Sequence, residues 1–166
     1  MDSPEMLEVV DAEGRVLRLA TRAECHSHPS LIHRSVCVLV YDPDGRLYLQ
    51  RRSMRKDLYA GMWDLSATGH VRPTESWEAA ARRELHEELG IEARLEHVLT
   101  TLVHVPQETE LAAVFRCRHG GPMQLDPHEV SDGRFVEPSE VAAQPDLTPY
   151  AVTLLRRVLP VNRELR

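Results

Sequence analysis

The sequence predicts an α/β fold in which helices cover a mixed β-sheet. Three observations predict it. Residues 6–20 alternate around a turn at residues 11–14, a second pair of apolar strands flanks residues 43–45, and an amphipathic helical segment separates these strands from later ones. A period of two is typical of half-buried strands, whereas apolar residues spaced by three and four indicate a helix. At 166 residues, the chain suits a single domain with a substantial core.

Within this predicted domain, residues 1–33 form an N-terminal part and residues 34–166 form the core. The apolar runs on either side of residues 11–14 predict a β-hairpin. Residues 21–33 are a polar segment with a density of imidazole that propensity does not explain; it contains Cys25, His26, His28 and His33.

The middle of the chain continues with strands and leads into the helix. Two strands, one ending at Asp42 and one beginning at Arg46, form a pair joined by the turn residues Pro, Asp and Gly. Residues 51–59 are basic, and residues 61–65 predict a short strand. The buried face of the helix is predicted from five apolar residues, Trp77, Ala80, Ala81, Leu85 and Leu89.

The ends of this helix carry the expected signals. Ser76 is a predicted N-cap, and Gly90 can adopt the left-handed conformation that ends a helix. The remaining chain predicts three strands, a helical turn and a final helix that begins with Pro at its first position; these are residues 93–105, 110–118, near 133–136, 138–140 and 148 to about 159.

Composition excludes several classes of protein. The net charge of −6 argues against a sequence-independent grip on a nucleic acid polymer, which needs a basic footprint. No apolar run approaches the roughly 18–20 residues of a membrane span, and the first residues are not those of a secretory signal. Three scattered cysteines favour reduced thiols in the cytoplasm. The sequence leaves the oligomeric state open, with a homodimer as the commonest assembly.

The polar face of the predicted helix carries three carboxylates, Glu84, Glu87 and Glu88, at positions i, i+3 and i+4. Like charges at these spacings repel. A hard cation such as Mg²⁺, which binds carboxylates together with substrate phosphates, would stabilise them. The alternative is a solvated face on which the carboxylates pair with Arg82 and Arg83.

The arrangement around these acids favours the metal site, because it resembles the Nudix box. The matching residues at fixed spacing are Gly69, Glu75, Arg83, Glu84, Leu85, Glu87, Glu88, Gly90 and Ile91. The resemblance implies an α/β/α sandwich and a Mg²⁺-dependent hydrolase that cuts a nucleoside diphosphate joined to some group X, or another organic diphosphate. Mn²⁺ is the alternative ion.

The same resemblance implies roles for individual residues. Gly69, Glu84, Glu87 and Glu88 would hold the metal, Arg83 would orient the carboxylates, and Glu75 would be a buried acid behind them. For the proton acceptor we expect Glu87 or Glu88, with Glu129 as a further candidate whose alternative is a surface acid.

Substrate-binding candidates lie just before the box. Arg51, Arg52 and Lys56 could face the distal phosphate, because guanidinium groups bind phosphate oxygens in a bidentate manner. Alternation turns Arg51 and Arg52 to opposite sides of a strand, so at most one points inward, and we select Arg51. Trp63 is a further pocket candidate.

Outside the box, the chain resembles one Nudix branch, that of isopentenyl-diphosphate isomerase. The likeness includes HxSLIHRSV, QRRSxxK, GMW and GH. It implies a second, transition-metal site, such as Mn or Zn, on five matching residues, His26, His33, His70, Glu108 and Glu110. It also implies Tyr150 as an aromatic wall. The sequence departs at Thr68, where the isomerase requires a catalytic cysteine.

Three functions follow from these patterns. A complete box favours a Nudix hydrolase acting on a small diphosphate. An isomerase-like enzyme is the second reading, and Thr68 disfavours it. The third is a non-catalytic diphosphate sensor, which the complete acidic triplet makes the least favoured.

Overall fold

The computed structural model describes residues 3–164, with side chains described to residue 159. It contains nine strands and four helices within these residues. In chain order they are β1 Met6–Val10, β2 Val16–Thr21, α1 Arg22–Ser27, β3 Ile32–Tyr41, β4 Leu47–Arg52, β5 Trp63–Leu65, β6 Ala67–His70, α2 Trp77–Leu89, β7 Glu96–Val105, β8 Glu108–Arg118, β9 Val130–Val136, α3 Pro138–Val141 and α4 Pro149–Glu164.

Strand β3 organises the mixed sheet. It pairs in parallel with β8 from Ile32 opposite Thr109 to Tyr41 opposite Arg118, and it pairs antiparallel with β6 and with the end of β1. Strands β7 and β8 form an antiparallel pair, and β4 pairs with β5 and β9. Four of the predicted metal ligands therefore lie on β3 and the strands beside it: His33, His70, Glu108 and Glu110.

The two faces of β3 pack in two different hydrophobic clusters. Alternate residues point to opposite sides of a strand, so Cys37 and Leu39 pack in the cluster that includes α4, while Val36, Val38 and Val40 pack in the cluster that includes α2. Residues 36–40 of β3 are all buried and all apolar, as expected for a strand covered on both faces. The α/β/α sandwich with a mixed sheet is confirmed, and so is the N-terminal hairpin of β1 and β2.

Four local predictions need correction. The polar segment after β2 contains the short helix α1, because the Thr21 hydroxyl caps it by accepting the backbone N–H of Glu24 at 3.1 Å. The predicted strand pair around residues 43–45 meets only at Tyr41 opposite Leu47, since β6 and β8 flank β3 beyond this point. Strand β9 begins earlier than predicted, at Val130. The final helix extends past the predicted end to Glu164.

Candidate active site

Helix α2 forms one wall of the candidate site. Its start and end are as predicted: the Ser76 hydroxyl accepts the backbone N–H of Ala79 at 3.2 Å, and Gly90 has φ +65°. The buried face consists of Ala80, Ala81, Leu85 and Leu89. This packing leaves the acidic face directed toward β6 and solvent.

The three acids of this face lie in different environments. The side chain of Glu84 is 14% exposed and that of Glu87 is 48% exposed, whereas Glu88 is buried. A Cβ atom on Gly69 of β6 would overlap the carboxylate of Glu84, so the absence of a side chain there permits this close approach.

Arg83 ties the helix to the strand and loop beside it. Its guanidinium donates to both Glu75 oxygens at 2.8 and 2.9 Å, to the His70 carbonyl at 2.9 Å, and to Glu84. The bonds to Glu75 are the main cause of a raised pKa for Arg83, which keeps the group charged. Arg83 therefore contacts both Glu84 and Glu75, the two acids that the box resemblance places beside it.

The buried carboxyls are poorly compensated. Burial raises the pKa of Glu84 to about 7 even though Arg83 lowers it. Burial also raises the pKa of Glu88 well above its usual range, and the charge of Glu84 adds to that effect. A bound cation favours the ionised form of such acids, and a set of hard oxygen donors fits Mg²⁺.

Glu129, from the loop before β9, joins this group. Its carboxylate accepts a hydrogen bond from the Lys56 ammonium, and its charge contributes to the raised pKa of Glu84. The structure therefore brings Glu129 and Lys56 to the box helix, although 41 residues separate Glu129 from Glu88 in the sequence.

A second cluster contains the histidines and acids of the isomerase-like pattern. His26 lies on α1, His33 on β3, His70 on β6, and Glu108 and Glu110 on β8. The three imidazole rings have centroid separations of 4.9 to 5.4 Å. The Nε2 atoms of His26 and His33 lie 2.6 and 3.3 Å from Glu108 Oε2, and His33 Nε2 lies 3.4 Å from Glu110 Oε1.

Several buried ligand atoms of this cluster lie close to one another but make no hydrogen bond of good geometry. They are Nε2 of His26, both ring nitrogens of His33, and Oε2 of Glu108. Against the effect of burial, contacts with Cys25, Glu108 and Glu110 raise the pKa of His33 to about 11. Likewise, against burial, the two histidines lower the pKa of Glu108. One ligand atom from each of His26, His33, His70 and Glu108 lies within 4.8 Å of the others, a donor set that fits a transition metal.

Both groups open into one cleft of about 640 Å³. Consecutive residues of β6 link them: Gly69 lies against Glu84, and the His70 ring approaches Glu110 at 3.6 Å. The lining also includes cations, among them Arg52 and Lys56. The cleft thus combines two potential cation sites with side chains of the type that binds phosphate.

Two predicted substrate-binding residues lie outside the described lining of this cleft. Arg51 is exposed, and its Nε donates to the Gly61 carbonyl at 2.9 Å. Its neighbour Arg52 lines the cleft instead, because the alternation of β4 turns the two side chains to opposite faces. Trp63 packs against the core, with the Arg134 guanidinium 4.5 Å from its ring centroid.

The lining of the cleft also includes Tyr150, a predicted substrate-binding residue, and Ser35 and Asp64, which the sequence did not indicate, while Gln50 lies behind it. Tyr150 is buried and shares a hydrogen bond with Ser35 at 3.2 Å. Asp64 is buried, which raises its pKa, and lies 3.5 Å from Arg52. Buried Gln50 contacts Glu88. Gln50 begins the QRRSxxK pattern, Ser35 belongs to HxSLIHRSV and Asp64 follows GMW, but the sequence assigned none of them a role.

Comparisons with known proteins agree with this geometry. The model of the NUDIX domain matches residues 31–158. The chain belongs to the Nudix family. The prediction of an enzyme of the Nudix hydrolase family is therefore confirmed. As a Nudix chain, it is 35% identical over 147 residues to an uncharacterised Nudix hydrolase of Pseudomonas aeruginosa, covering 88% of this chain and 86% of that one.

The isomerase branch is also represented among the relatives of this Nudix domain. It is 34% identical over 170 residues to an isopentenyl-diphosphate Delta-isomerase of Streptomyces griseus, covering 96% of this chain and 86% of the relative. Among solved structures, a Deinococcus radiodurans protein has a TM-score of 0.80 at 24% identity, with 93% of this chain and 99% of that one covered. A MutT protein of Methanosarcina mazei has a TM-score of 0.71 at 26% identity, covering 81% and 96%.

Proposed function

We propose that this Nudix protein is a Mg²⁺-dependent hydrolase that cleaves a phosphoanhydride bond in a nucleoside diphosphate derivative or another organic diphosphate. One observation carries the proposal: the acids of the box helix and Glu129 line one cleft together with Arg52 and Lys56. Poorly solvated carboxylates attract a divalent cation, and Arg52 and Lys56 attract a diphosphate.

The residues of the site would have different roles in such a reaction. Glu84, Glu88 and the backbone of Gly69 would hold the ion, which supplies charge neutralisation of the diphosphate and polarises the phosphorus. Arg83 keeps Glu84 oriented through its bonds to Glu75 and the His70 carbonyl. Catalysis of this kind depends mainly on positioning and electrostatics.

The proton of the attacking water needs an acceptor. Both oxygens of Glu88 accept hydrogen bonds from the protein, whereas the half-exposed Glu87 is open to the cleft. We therefore assign the role to Glu87 first. Glu129 is the second candidate, because Lys56 holds it at the cleft. Arg52 and Lys56 would bind the distal phosphate.

The His/Glu cluster would hold a separate transition metal, Mn or Zn. The support is the set of orphaned buried nitrogens and the carboxylate oxygen among them. Neutral imidazole suits such metals better than it suits Mg²⁺. With this site loaded, the cleft would present two cations to one substrate.

Hydrolysis is tested with a panel of nucleoside diphosphate derivatives and other organic diphosphates, in Mg²⁺ and in Mn²⁺. We expect phosphate or nucleoside phosphate release that falls by at least about 100-fold in Glu87→Gln, in line with the loss of a positioned proton acceptor. Glu78→Gln is the matched control, because Glu78 is exposed on the same helix and pairs with Arg82. No turnover across the panel, with diphosphate still bound, would point to a sensor.

An isomerase is the second candidate, favoured by the His/Glu cluster and by relatives at 32–35% identity that carry that name. Thr68 supplies no thiol. Cys37 is opposite Thr68 on β3, but it is completely buried. Incorporation of deuterium from heavy water into isopentenyl diphosphate tests this function directly, and Thr68→Cys is the variant expected to increase it.

We also infer that the protein acts in the cytoplasm on small molecules. Cys25, Cys37 and Cys117 are free and buried, and the chain has a net charge of −6. Within the described residues, no helix has the length and apolar character needed to cross a bilayer. Self-association into a homodimer is measurable by light scattering.

A further inference from the structure

Glu88 is held on both sides by hydrogen-bond donors. The backbone N–H of Thr68 donates to Oε1 at 2.8 Å, and the Gln50 side-chain amide donates to Oε2 at 3.1 Å. Glu88 is 5% exposed and Gln50 is 1% exposed. Water therefore contributes little to holding this carboxylate, and its orientation depends on these two neutral groups.

The cations of the site do not perform this task. Among the ion pairs of the described residues, Arg83 pairs with Glu75, Glu84 and Glu87, and none includes Glu88. A buried carboxylate without an ion pair needs hydrogen-bond donors or a bound cation to remain ionised. Gln50 supplies the only side-chain donor to Glu88 among the described hydrogen bonds.

The geometry fixes the amide of Gln50 in one orientation. Its Nε2 also donates to the Ser66 carbonyl at 3.1 Å, so both amide hydrogens face acceptors. Rotation of the amide by half a turn would bring its oxygen against two other acceptor oxygens. The backbone is equally constrained, because Gln50 of β4 is opposite Asp64 of β5 and Gly133 of β9.

We propose that Gln50 is a positioning residue that holds the Glu88 carboxylate in the orientation needed to bind the divalent cation. This inference rests on the proposed function, in which Glu88 is a metal ligand. Gln50 itself reaches neither the ion nor the substrate. It acts through Glu88, while the Thr68 backbone fixes the other oxygen.

The test is the affinity of the full chain for Mg²⁺, measured by titration calorimetry without substrate. Gln50→Met keeps the length of the side chain and removes both donors. We expect about 10–100-fold weaker Mg²⁺ binding, the usual effect of losing a group that orients a metal ligand. Ser66→Ala is the matched control: its buried hydroxyl bonds the Val40 N–H and the Tyr48 carbonyl but not Glu88, so Mg²⁺ affinity should be unchanged.

A double-mutant cycle separates positioning from general damage to the fold. If Gln50 acts through Glu88, Gln50→Met will weaken Mg²⁺ binding in the wild-type background and have no effect in the Glu88→Gln background. Equal losses in both backgrounds, or an unchanged affinity in Gln50→Met, would overturn the inference while leaving the hydrolase intact. A wild-type chain that binds no Mg²⁺ would overturn the proposed function together with this inference.

Discussion

Replacing Arg83 with methionine tests the central ionic arrangement of the box. The guanidinium donates to Glu75, Glu84 and the His70 carbonyl, and its side chain is only 16% exposed. Methionine preserves most of the apolar stem. The variant leaves two largely buried carboxylates without their cation.

The size of the effect follows from this burial. Removing one partner of a buried ion pair costs about 3–5 kcal/mol, because the remaining charge is uncompensated. Since Arg83 is partly exposed, we expect the lower end, about 3 kcal/mol. In a chain of this size, that corresponds to a melting temperature lower by about 6–12 °C. Thermal denaturation followed by circular dichroism measures it.

The adjacent arginine is a matched control. Arg82 is 51% exposed and pairs with Glu78 on the helix surface. Arg82→Met should lower stability by about 0.5 kcal/mol or less. Mg²⁺ should restore part of the stability lost in Arg83→Met, because the ion would neutralise the carboxylate charge left without a partner. Equal melting temperatures for the two variants would refute the assigned role of Arg83.

Three further predictions concern the remaining groups of the cleft. In metal-free protein, the pKa of Glu84 is about 7 in the folded state and 4.5 in the unfolded state. Between these pH values, Glu84 is therefore protonated in the folded state and ionised in the unfolded state. The stability of wild type relative to Glu84→Gln should therefore fall by about 3 kcal/mol as the pH rises between these values, which urea denaturation at several pH values measures; a constant difference would contradict it. Glu108→Gln should remove a bound transition metal detected by elemental analysis, because Glu108 contacts two of the three histidines; retention of the metal would count against the cluster. Lys56→Met should raise the KM for a diphosphate about tenfold by removing a phosphate contact, whereas Arg55→Met, which loses an exposed bond to His128, should change it less; equal KM values would exclude this role.

The sequence predicted the parts of the fold that depend on neighbours in the chain. Helix α2 was predictable because apolar spacing and both end residues lie within 15 positions, 76–90. Helix α1 was missed because its six residues, four of them polar, give no helical periodicity. The pairing of β3 was also missed, since its partners β6 and β8 are distant in sequence and only packing selects them.

In the candidate site, too, some residues could be predicted from the sequence and others could not. The acids of the box were predicted from the box resemblance, because the spacing of the three carboxylates alone left a solvated face open. The structure places Arg52 in the cleft lining and the selected Arg51 outside it, because alternation shows that their sides differ but not which side faces the cleft. Gln50 begins the QRRSxxK pattern but was given no role, since a neutral amide becomes informative only when its buried partner is known.

Position 68 shows how one scaffold can accommodate different chemistries. The backbone amide of Thr68, not its side chain, binds Glu88, while the residue also lines the cleft. Exchanging the side chain there alters the reactive surface and leaves the carboxylate support in place. Related enzymes could thus gain or lose a thiol at this point in a single substitution without rebuilding their ion-binding framework.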